Sequence, residues 1–238
     1  MAERKIKITA DEFVRAVVDR NERDFTGYDL SGIVLTGRQE LNEYFKKEFI
    51  ANGSPERPII LRGAYAKGIQ ASGIWLPYLQ AEGADFEQAI FVDAIMFRGN
   101  YSRANFTEAN LIRANLNSSN LRGANLQKAH CSNAKVSQSI LTGADLSGGE
   151  FGGASFQCSD LREVDLNEAY LSTADFYRTD LRGSRSLDKT KDLGHAHIEG
   201  TVVTQTELLI INAAIADAER RRYEFVDHLD DIRIYDVD

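Results

Sequence analysis

Two histidines and a carboxylate at alternate positions are the residues of this sequence with the clearest potential for chemistry. His195, His197 and Glu199 would share one face of an extended chain, and two imidazoles with one carboxylate can bind a transition metal. The surrounding segment DLGHAHIEG is typical of a loop, however, and such short motifs often arise by chance. The sequence therefore offers a metal site only as a minor alternative, and we expect no cofactor.

A glycine-rich run, GGEFGG at 148–153, resembles a phosphate-binding loop at first sight. It lacks the Lys-Ser/Thr ending and the following helix that such loops need to hold a phosphate. The sequence also contains no recognisable pair of nucleophile and base and no cofactor motif. We therefore expect a protein that is not an enzyme.

A large apolar residue that recurs every five positions organises the chain. Of the 25 positions in this register from Leu61 to Leu181, 12 are Leu and 6 are Phe, and none is charged. Helices and strands have periods of 3.6 and two, so neither would place these side chains on one face. The register is clearest within residues 104–126, where its members are Phe106, Leu111, Leu116, Leu121 and Leu126.

The units ANLIR (109–113) and ADLSG (144–148) resemble the A(D/N)Lxx unit of the pentapeptide repeat family. The resemblance implies an all-β solenoid, namely a right-handed quadrilateral parallel β-helix in which four pentapeptides form one coil. Geometry agrees, since a chain that points two of every five residues inward must turn a corner with the others, and stacked coils would pair at ~4.8 Å. We expect this β-helix over 24–185.

Both ends of the solenoid and one interruption depart from the register. Thr9 and Glu12 have the spacing of a capping box, which predicts a helix over 10–20 within an N-terminal strand and capping segment, 1–23. The insertion 36–58 should contain a helix near 40–50. Residues 186–238 should form a terminal loop, a helix from Thr206 to about Tyr223, and an acidic tail.

The C-terminal helix is apolar on nearly all sides, so it should need burial against two surfaces. One surface would be the end of the coil stack and the other a second copy of the chain, because symmetric dimers are the commonest solution. The alternative is that the last segment of the chain covers the second side. The residues expected to form this cap and dimer contact are Leu208, Leu209, Ile211 and Ile215.

Outward residues 20 positions apart should stack on adjacent coils, so the sequence predicts which side chains are neighbours on the surface. An apolar patch is predicted on two neighbouring sides, and such patches usually contact something. The favoured interpretation is that Phe45 and Phe49 of the inserted helix cover it, and the other is a site for a protein partner. The patch consists of Trp75, Ile90, Val92, Ile95, Phe97 and Ile112.

Two acidic columns are predicted by the same arithmetic. Asp145 should stack on Asp165, and Asp160 on Asp180. Paired carboxylates can perform acid-base chemistry, but a convex rod has no cleft, and Asp at this position should bond the backbone amides of its own turn. Neither column is by itself a functional site.

Composition and charge bound the remaining possibilities. With 238 residues, 43% hydrophobic and 27% charged, the sequence is typical of one globular domain. No apolar run suits a membrane span or a secretion signal, so we expect a cytoplasmic protein without membrane contact. The net charge of −8 argues against direct nucleic-acid binding, and residues 61–140 carry 8 basic and 5 acidic side chains whereas 141–185 carry 4 and 8.

These observations favour a non-enzymatic scaffold that binds a protein partner, whose identity the sequence does not reveal. The alternative comes from the resemblance, since quinolone-resistance and topoisomerase-poison immunity members of the family are similar to a DNA duplex in width and charge and bind DNA gyrase. That mechanism needs acidic stripes along the whole rod. The first coils of this chain are mildly basic, so gyrase binding by DNA mimicry ranks second.

Overall fold

The chain forms a solenoid whose successive coils pair through parallel bridges between residues 20 positions apart, such as Asn100 with Asn120. This computed structural model describes residues 6–54, 57–221 and 233–234. Four bridge positions occur in each coil, so the solenoid has four faces and the predicted β-helix is confirmed. We number the faces by one bridge residue each: face 1 carries Asn120, face 2 Asn125, face 3 His130 and face 4 Lys135.

A residue with positive φ at every fifth position turns the chain at each corner. The series runs without interruption from Gly63 (φ 59°) to Gly183 (φ 72°), and in most turns the hydrogen bond resembles that from the Ala64 amide to the Leu61 carbonyl, 2.9 Å. Glycine adopts this conformation freely, but most positions hold another residue, such as Arg113 at φ 55°. Each such residue costs about 1–2 kcal/mol, which the stacked coils must offset.

The interior of the solenoid is filled by the large apolar residues of the five-residue register. Rings from adjacent coils stack directly, as Phe156 does on Phe176 with centroids 5.3 Å apart and planes 8° from parallel. The glycine-rich run is an ordinary coil, because Phe151 is buried and an added Cβ at Gly149 would lie 2.5 Å from its ring. Cys131 points inward, where burial raises the pKa of its thiol.

A ladder of hydroxyl groups lies inside the corner between face 4 and face 1. Here the side chain of one coil enters the turn of the coil before it. Ser139 Oγ accepts a hydrogen bond from the Ser119 amide at 3.1 Å and donates one to the Leu116 carbonyl at 3.1 Å. Such a bridge satisfies two buried backbone groups that would otherwise be left unpaired.

Helix α1, Ala10–Val18, lies against the first coil. Its capping box is formed as predicted, with hydrogen bonds between Thr9 and Glu12 in both directions, although the helix ends two residues earlier than expected. Its apolar face is buried, and the ring of Phe13 lies 4.7 Å from that of Phe25. Helix α2, Gln39–Asn52, occupies the insertion and ends at Gly53, whose φ is 70°.

The β-helix continues past residue 185, which corrects the terminal loop expected from the sequence. Tyr170 pairs with Lys191 and Asp175 with His197, so residues after 185 form another coil. Two of its corners are one residue longer and form the 3-10 turns Leu187–Lys189 and Leu193–His195. The strict five-residue register misses this coil because the buried residues Leu181, Leu187 and Leu193 are spaced by six.

The described C-terminal segment contains two short strands and one helix. Strand β1, Val202–Val203, is followed by helix α3, Gln205–Arg221, and strand β2, Arg233–Ile234, pairs with β1 in parallel. The helix begins earlier than expected. The hydrogen bond at its start joins the backbone amide of Thr204, rather than Thr206, to the Glu207 carboxylate at 2.7 Å. The predicted end at Tyr223 and the acidic tail lie outside the described residues.

None of the helices in the described part of the chain has the length and hydrophobicity needed to cross a membrane.

The corner geometry predicts opposite effects for two substitutions at equivalent positions. Thr173 has φ 57°, so Thr173→Gly should relieve more strain than the added freedom of the unfolded chain costs, a net gain of about 0.5–1 kcal/mol. Gly143 has φ 68° with open space where a Cβ would lie, so Gly143→Ala should cost about 1 kcal/mol. Urea unfolding measures both changes, and shifts of the same sign would contradict this explanation of the corners.

Candidate interaction surface

Helix α2 takes the place of the fourth side of the first coil. Three sides of that coil pair with the next coil through Asp24, Asp29 and Val34. On face 4, the side-chain amide of Asn42 takes the place of the backbone that a fourth side would supply. Its Oδ1 accepts a hydrogen bond from the Trp75 amide at 2.8 Å, and its Nδ2 donates one to the Gly73 carbonyl at 3.0 Å. A single side chain of α2 thus satisfies both a donor and an acceptor of the coil beneath it.

The ring of Phe49 covers the aromatic part of the predicted patch. Its centroid lies 6.1 Å from that of Trp75 and 5.8 Å from that of Phe97, in edge-to-face arrangements. The Lys46 ammonium lies 5.9 Å from the Trp75 ring. The prediction that the inserted helix covers the patch is therefore confirmed for Trp75 and Phe97.

Phe45 was expected to cover the patch together with Phe49, and this part of the prediction is not confirmed, because its ring contact in the described structure is with Tyr44. Phe45 is buried, with the guanidinium of Arg23 5.7 Å from its ring. Positions 45 and 49 lie one turn apart on a helix, and sequence spacing alone does not show that the helix axis crosses the patch at only one of them.

The remaining patch residues divide between two faces of the rod. Ile95 bridges to Trp75 on face 4. Ile90 is a bridge residue of face 3, and Val92 and Ile112 follow bridge residues of that face. All three are half-buried. We call Ile90, Val92 and Ile112 the face 3 stripe.

Two residues of the face 3 stripe, Val92 and Ile112, lie in an outward column that carries no charge between residues 72 and 172. Positions 20 apart in the column of Val92 and Ile112 are Ser72, Ser132, Gly152 and Ser172, all small. Two pairs of polar side chains lie beside it: Arg113 with Asp93 at 2.7 Å, and His130 with Glu150 at 2.9 Å. In each pair the two side chains contact each other. This face therefore presents a flat, neutral surface with its apolar part at the N-terminal end.

A buried arginine, missed by the sequence reasoning, joins α1, α2 and the first coil. Arg23 is only 2% exposed, and its guanidinium donates to the Val17 carbonyl at 2.9 Å and to the Glu48 carboxylate at 3.1 Å. It also bonds the Tyr44 hydroxyl at 2.5 Å. A buried charge must be paired, so this side chain holds the three elements in one arrangement.

The acidic columns stack as predicted, with Asp145 on Asp165 and Asp160 on Asp180. Each carboxylate accepts the backbone amide two residues ahead, as Asp160 does from Arg162 at 3.1 Å, which confirms the expected turn role. Arginines also neutralise three of the four carboxylates. Arg162 and Arg182 each lie 2.7 Å from an Asp oxygen, and Arg185 lies 3.8 Å from Asp165.

The three candidate metal ligands do not form one site. His197 lies 3.1 Å from Asp175 and 3.4 Å from Glu199, and its ring stacks on Tyr177. His195 belongs to the second 3-10 turn, where its Nδ1 is 3.5 Å from Asp192. Within residues 6–54, 57–221 and 233–234, no group of three His, Cys, Asp or Glu side chains has an arrangement that could hold a metal.

Helix α3 packs with one side on the last coils and leaves the other open. Ile211 is buried, Leu208 and Ile215 are half-buried against the core, and Leu209 is 61% exposed. A further anchor was missed in the sequence: the buried Glu207 carboxylate accepts the Gly183 amide at 2.5 Å as well as the Thr204 amide. This side chain connects the first turn of α3 to the corner at Gly183.

The family model for pentapeptide repeats matches residues 104–143 and 144–183, with eight copies. Residues 104–183 of the chain are therefore pentapeptide repeats. The corner geometry of the matched repeats extends without change to residue 63, so the repeats begin well before the matched range. The match supports the right-handed sense of the β-helix that the resemblance implies.

Solved structures of pentapeptide repeat proteins are similar to this chain. One from the thylakoid lumen of Arabidopsis thaliana is 27% identical over 43% of this chain and 68% of its own, with a TM-score of 0.37. HetL of the cyanobacterium Nostoc, involved in regulating heterocyst differentiation, is 17% identical over 82% and 97%, with a TM-score of 0.30. Trypsin-treated QnrB1, a plasmid-mediated fluoroquinolone resistance protein, is 21% identical over 66% and 86%, with a TM-score of 0.36.

The search of curated proteins found no match.

The ion pair on face 1 predicts a specific dependence of stability on pH. Hydrogen bonds from the Arg162 guanidinium hold the pKa of Asp160 at about 2, below its ordinary 3.8. A lowered pKa stabilises the fold above pH ~4, and this contribution is lost as the pH falls through ~2, so Asp160→Asn should cost about 1–2 kcal/mol at pH 6. Near pH 2 the wild type and the variant should be about equally stable. Urea unfolding at both pH values measures this, and a difference that does not change with pH would contradict it.

Proposed function

We propose that this protein is a non-enzymatic scaffold that binds a protein partner through the face 3 stripe. The observation that carries the proposal is the position of Ile90, Val92 and Ile112 on a neutral face, next to the part of the patch that Phe49 covers. Contiguous apolar groups on an otherwise polar surface are typical of contact sites.

The helices at the two ends act as caps in this proposal. An open solenoid end exposes its last core layer and would stack on other chains. The contact of Phe13 with Phe25 at one end and of Glu207 with Gly183 at the other supports a capping role. With its ends covered, the rod offers its long faces to a partner.

Gyrase binding by DNA mimicry is the second candidate, and the acidic columns are the observation in its favour. It ranks lower because Arg162 and Arg182 neutralise the column of Asp160 and Asp180 at contact distance, whereas a mimic of phosphates needs unpaired carboxylates. A supercoiling assay with purified DNA gyrase separates the candidates. The scaffold proposal expects that the protein neither inhibits the enzyme nor protects it.

The open side of α3 leads to a further part of the proposal, that the protein is a homodimer. Leu209 and Ala213 lie one turn apart and are exposed. Apolar side chains at this spacing form a stripe that a second copy of the same helix could bury around a two-fold axis.

The stripe predicts which substitutions remove binding. Replacing Val92 and Ile112 together by Asp should abolish capture of the partner from the native host and leave the unfolding midpoint nearly unchanged, because both side chains point outward. The matched control is Ser132→Asp with Ser172→Asp, which adds the same charge to the same column. Binding must then be repeated with the purified partner, and loss of binding in both double variants would contradict a role for the stripe.

The dimer predicts a change of mass in solution. Leu209→Asp should convert the protein to a monomer in sedimentation equilibrium, because a charge would be buried at the centre of the contact. Ile50 is 84% exposed on α2 and provides the control, since Ile50→Asp changes another exposed aliphatic residue far from Leu209 in the sequence. A wild-type protein that sediments as a monomer would remove this part of the proposal.

A further inference from the structure

Helix α2 is attached to the solenoid in a different way from every coil. The coils between residues 59 and 183 are joined by continuous backbone hydrogen bonds, such as Leu111 to His130 at 2.7 Å and Asn110 to Ala89 at 2.8 Å. Among the described residues, the backbone of 39–52 makes hydrogen bonds only within the helix or with residues next to it. Side chains alone hold α2 on the rod.

Two buried polar atoms lie unpaired where α2 meets its surroundings. Trp75 Nε1 and Glu48 Oε2 are both buried without a hydrogen-bond partner in the described structure. Each loses its hydration when α2 is seated and recovers it when α2 leaves. Seating of the helix therefore carries a desolvation cost.

A glycine with positive φ flanks α2 on each side. Gly37 and Gly53 have φ of 79° and 70°, and no atom lies where a Cβ would be at either position. The N-cap residue Arg38 provides no side-chain cap to the helix, but its guanidinium pairs with Asp11 of α1, and this pair opposes opening. Against opening stand the buried side chains of Leu41 and Phe45 and the ion pair of Arg23 with Glu48.

We infer that α2 is a strap that opens as a unit while the coils stay folded. Opening releases the two hydrogen bonds of Asn42 and withdraws Phe49 from Trp75 and Phe97. The aromatic surface of face 4 then becomes continuous with the face 3 stripe around one corner. The strap does not depend on the partner proposed above, because purified protein alone reports its opening.

Trp75 provides the test, since it is the only tryptophan in the chain and lies under α2. Tryptophan fluorescence should follow the strap, and far-ultraviolet circular dichroism should follow the coils, during unfolding in urea. We expect the fluorescence midpoint to come at least ~0.5 M urea below the dichroism midpoint. Coincident midpoints would overturn the inference.

Two variants separate the strap from the coils. Asn42→Ala removes both bonds to the coil and should lower the fluorescence midpoint while leaving the dichroism midpoint in place. Ser139→Ala leaves a buried amide and a buried carbonyl unpaired among the coils and should do the reverse. Equal shifts of both signals in either variant would contradict separate opening.

Hydrogen exchange of the wild-type protein gives a second measurement that needs no variant. The slowest amides of residues 39–52 should exchange at least ~10-fold faster than the slowest amides of residues 104–143. Equal rates in the two segments would mean that α2 opens only when the whole protein unfolds, and the strap would be rejected.

Discussion

A corner with positive φ at every fifth residue is the constraint on which the rest of the structure depends. It turns the chain after each short side, so that residues 20 apart meet and their backbones pair. It also sends the large residue of each unit inward, where it stacks on its equivalents above and below. Local strain at the corners and long-range pairing between coils are therefore coupled, since neither the pairing nor the stacked interior would exist without the turn.

Both ends of the solenoid are places where this constraint fails and another interaction replaces it. At the first coil, the missing fourth side is supplied by Asn42 of α2, and the charge of Arg23 holds that helix to its neighbours. At the last coil, corners of six residues contain 3-10 turns, and Glu207 connects α3 to the stack. Specific buried polar groups thus appear where the repeat stops, because the repeat itself satisfies its own backbone.

The charged residues of the repeats serve the turns and one another more than they serve an external ligand. Asp160 and Asp180 accept amides of their own corners and lie against arginines, so they project little free charge. His197 is likewise engaged with Asp175 and Glu199. Face 3 differs, since its outward column is small or apolar, and this contrast makes it the surface of greatest interest.

The sequence by itself determined the inward direction of the large residues, because a five-residue period specifies direction residue by residue, and the family resemblance supplied the coil of four pentapeptides. The same arithmetic predicted the Asp columns and the position of Trp75 next to Ile95. It did not predict the last coil, because two corners of that coil are one residue longer than the five-residue register requires. Only the tertiary structure decided that the ring of Phe49 contacts Trp75, and that Arg23 and Glu207 are buried and hydrogen-bonded between elements. These contacts depend on the angle at which a helix crosses the rod, and the spacing of residues along the sequence does not specify that angle.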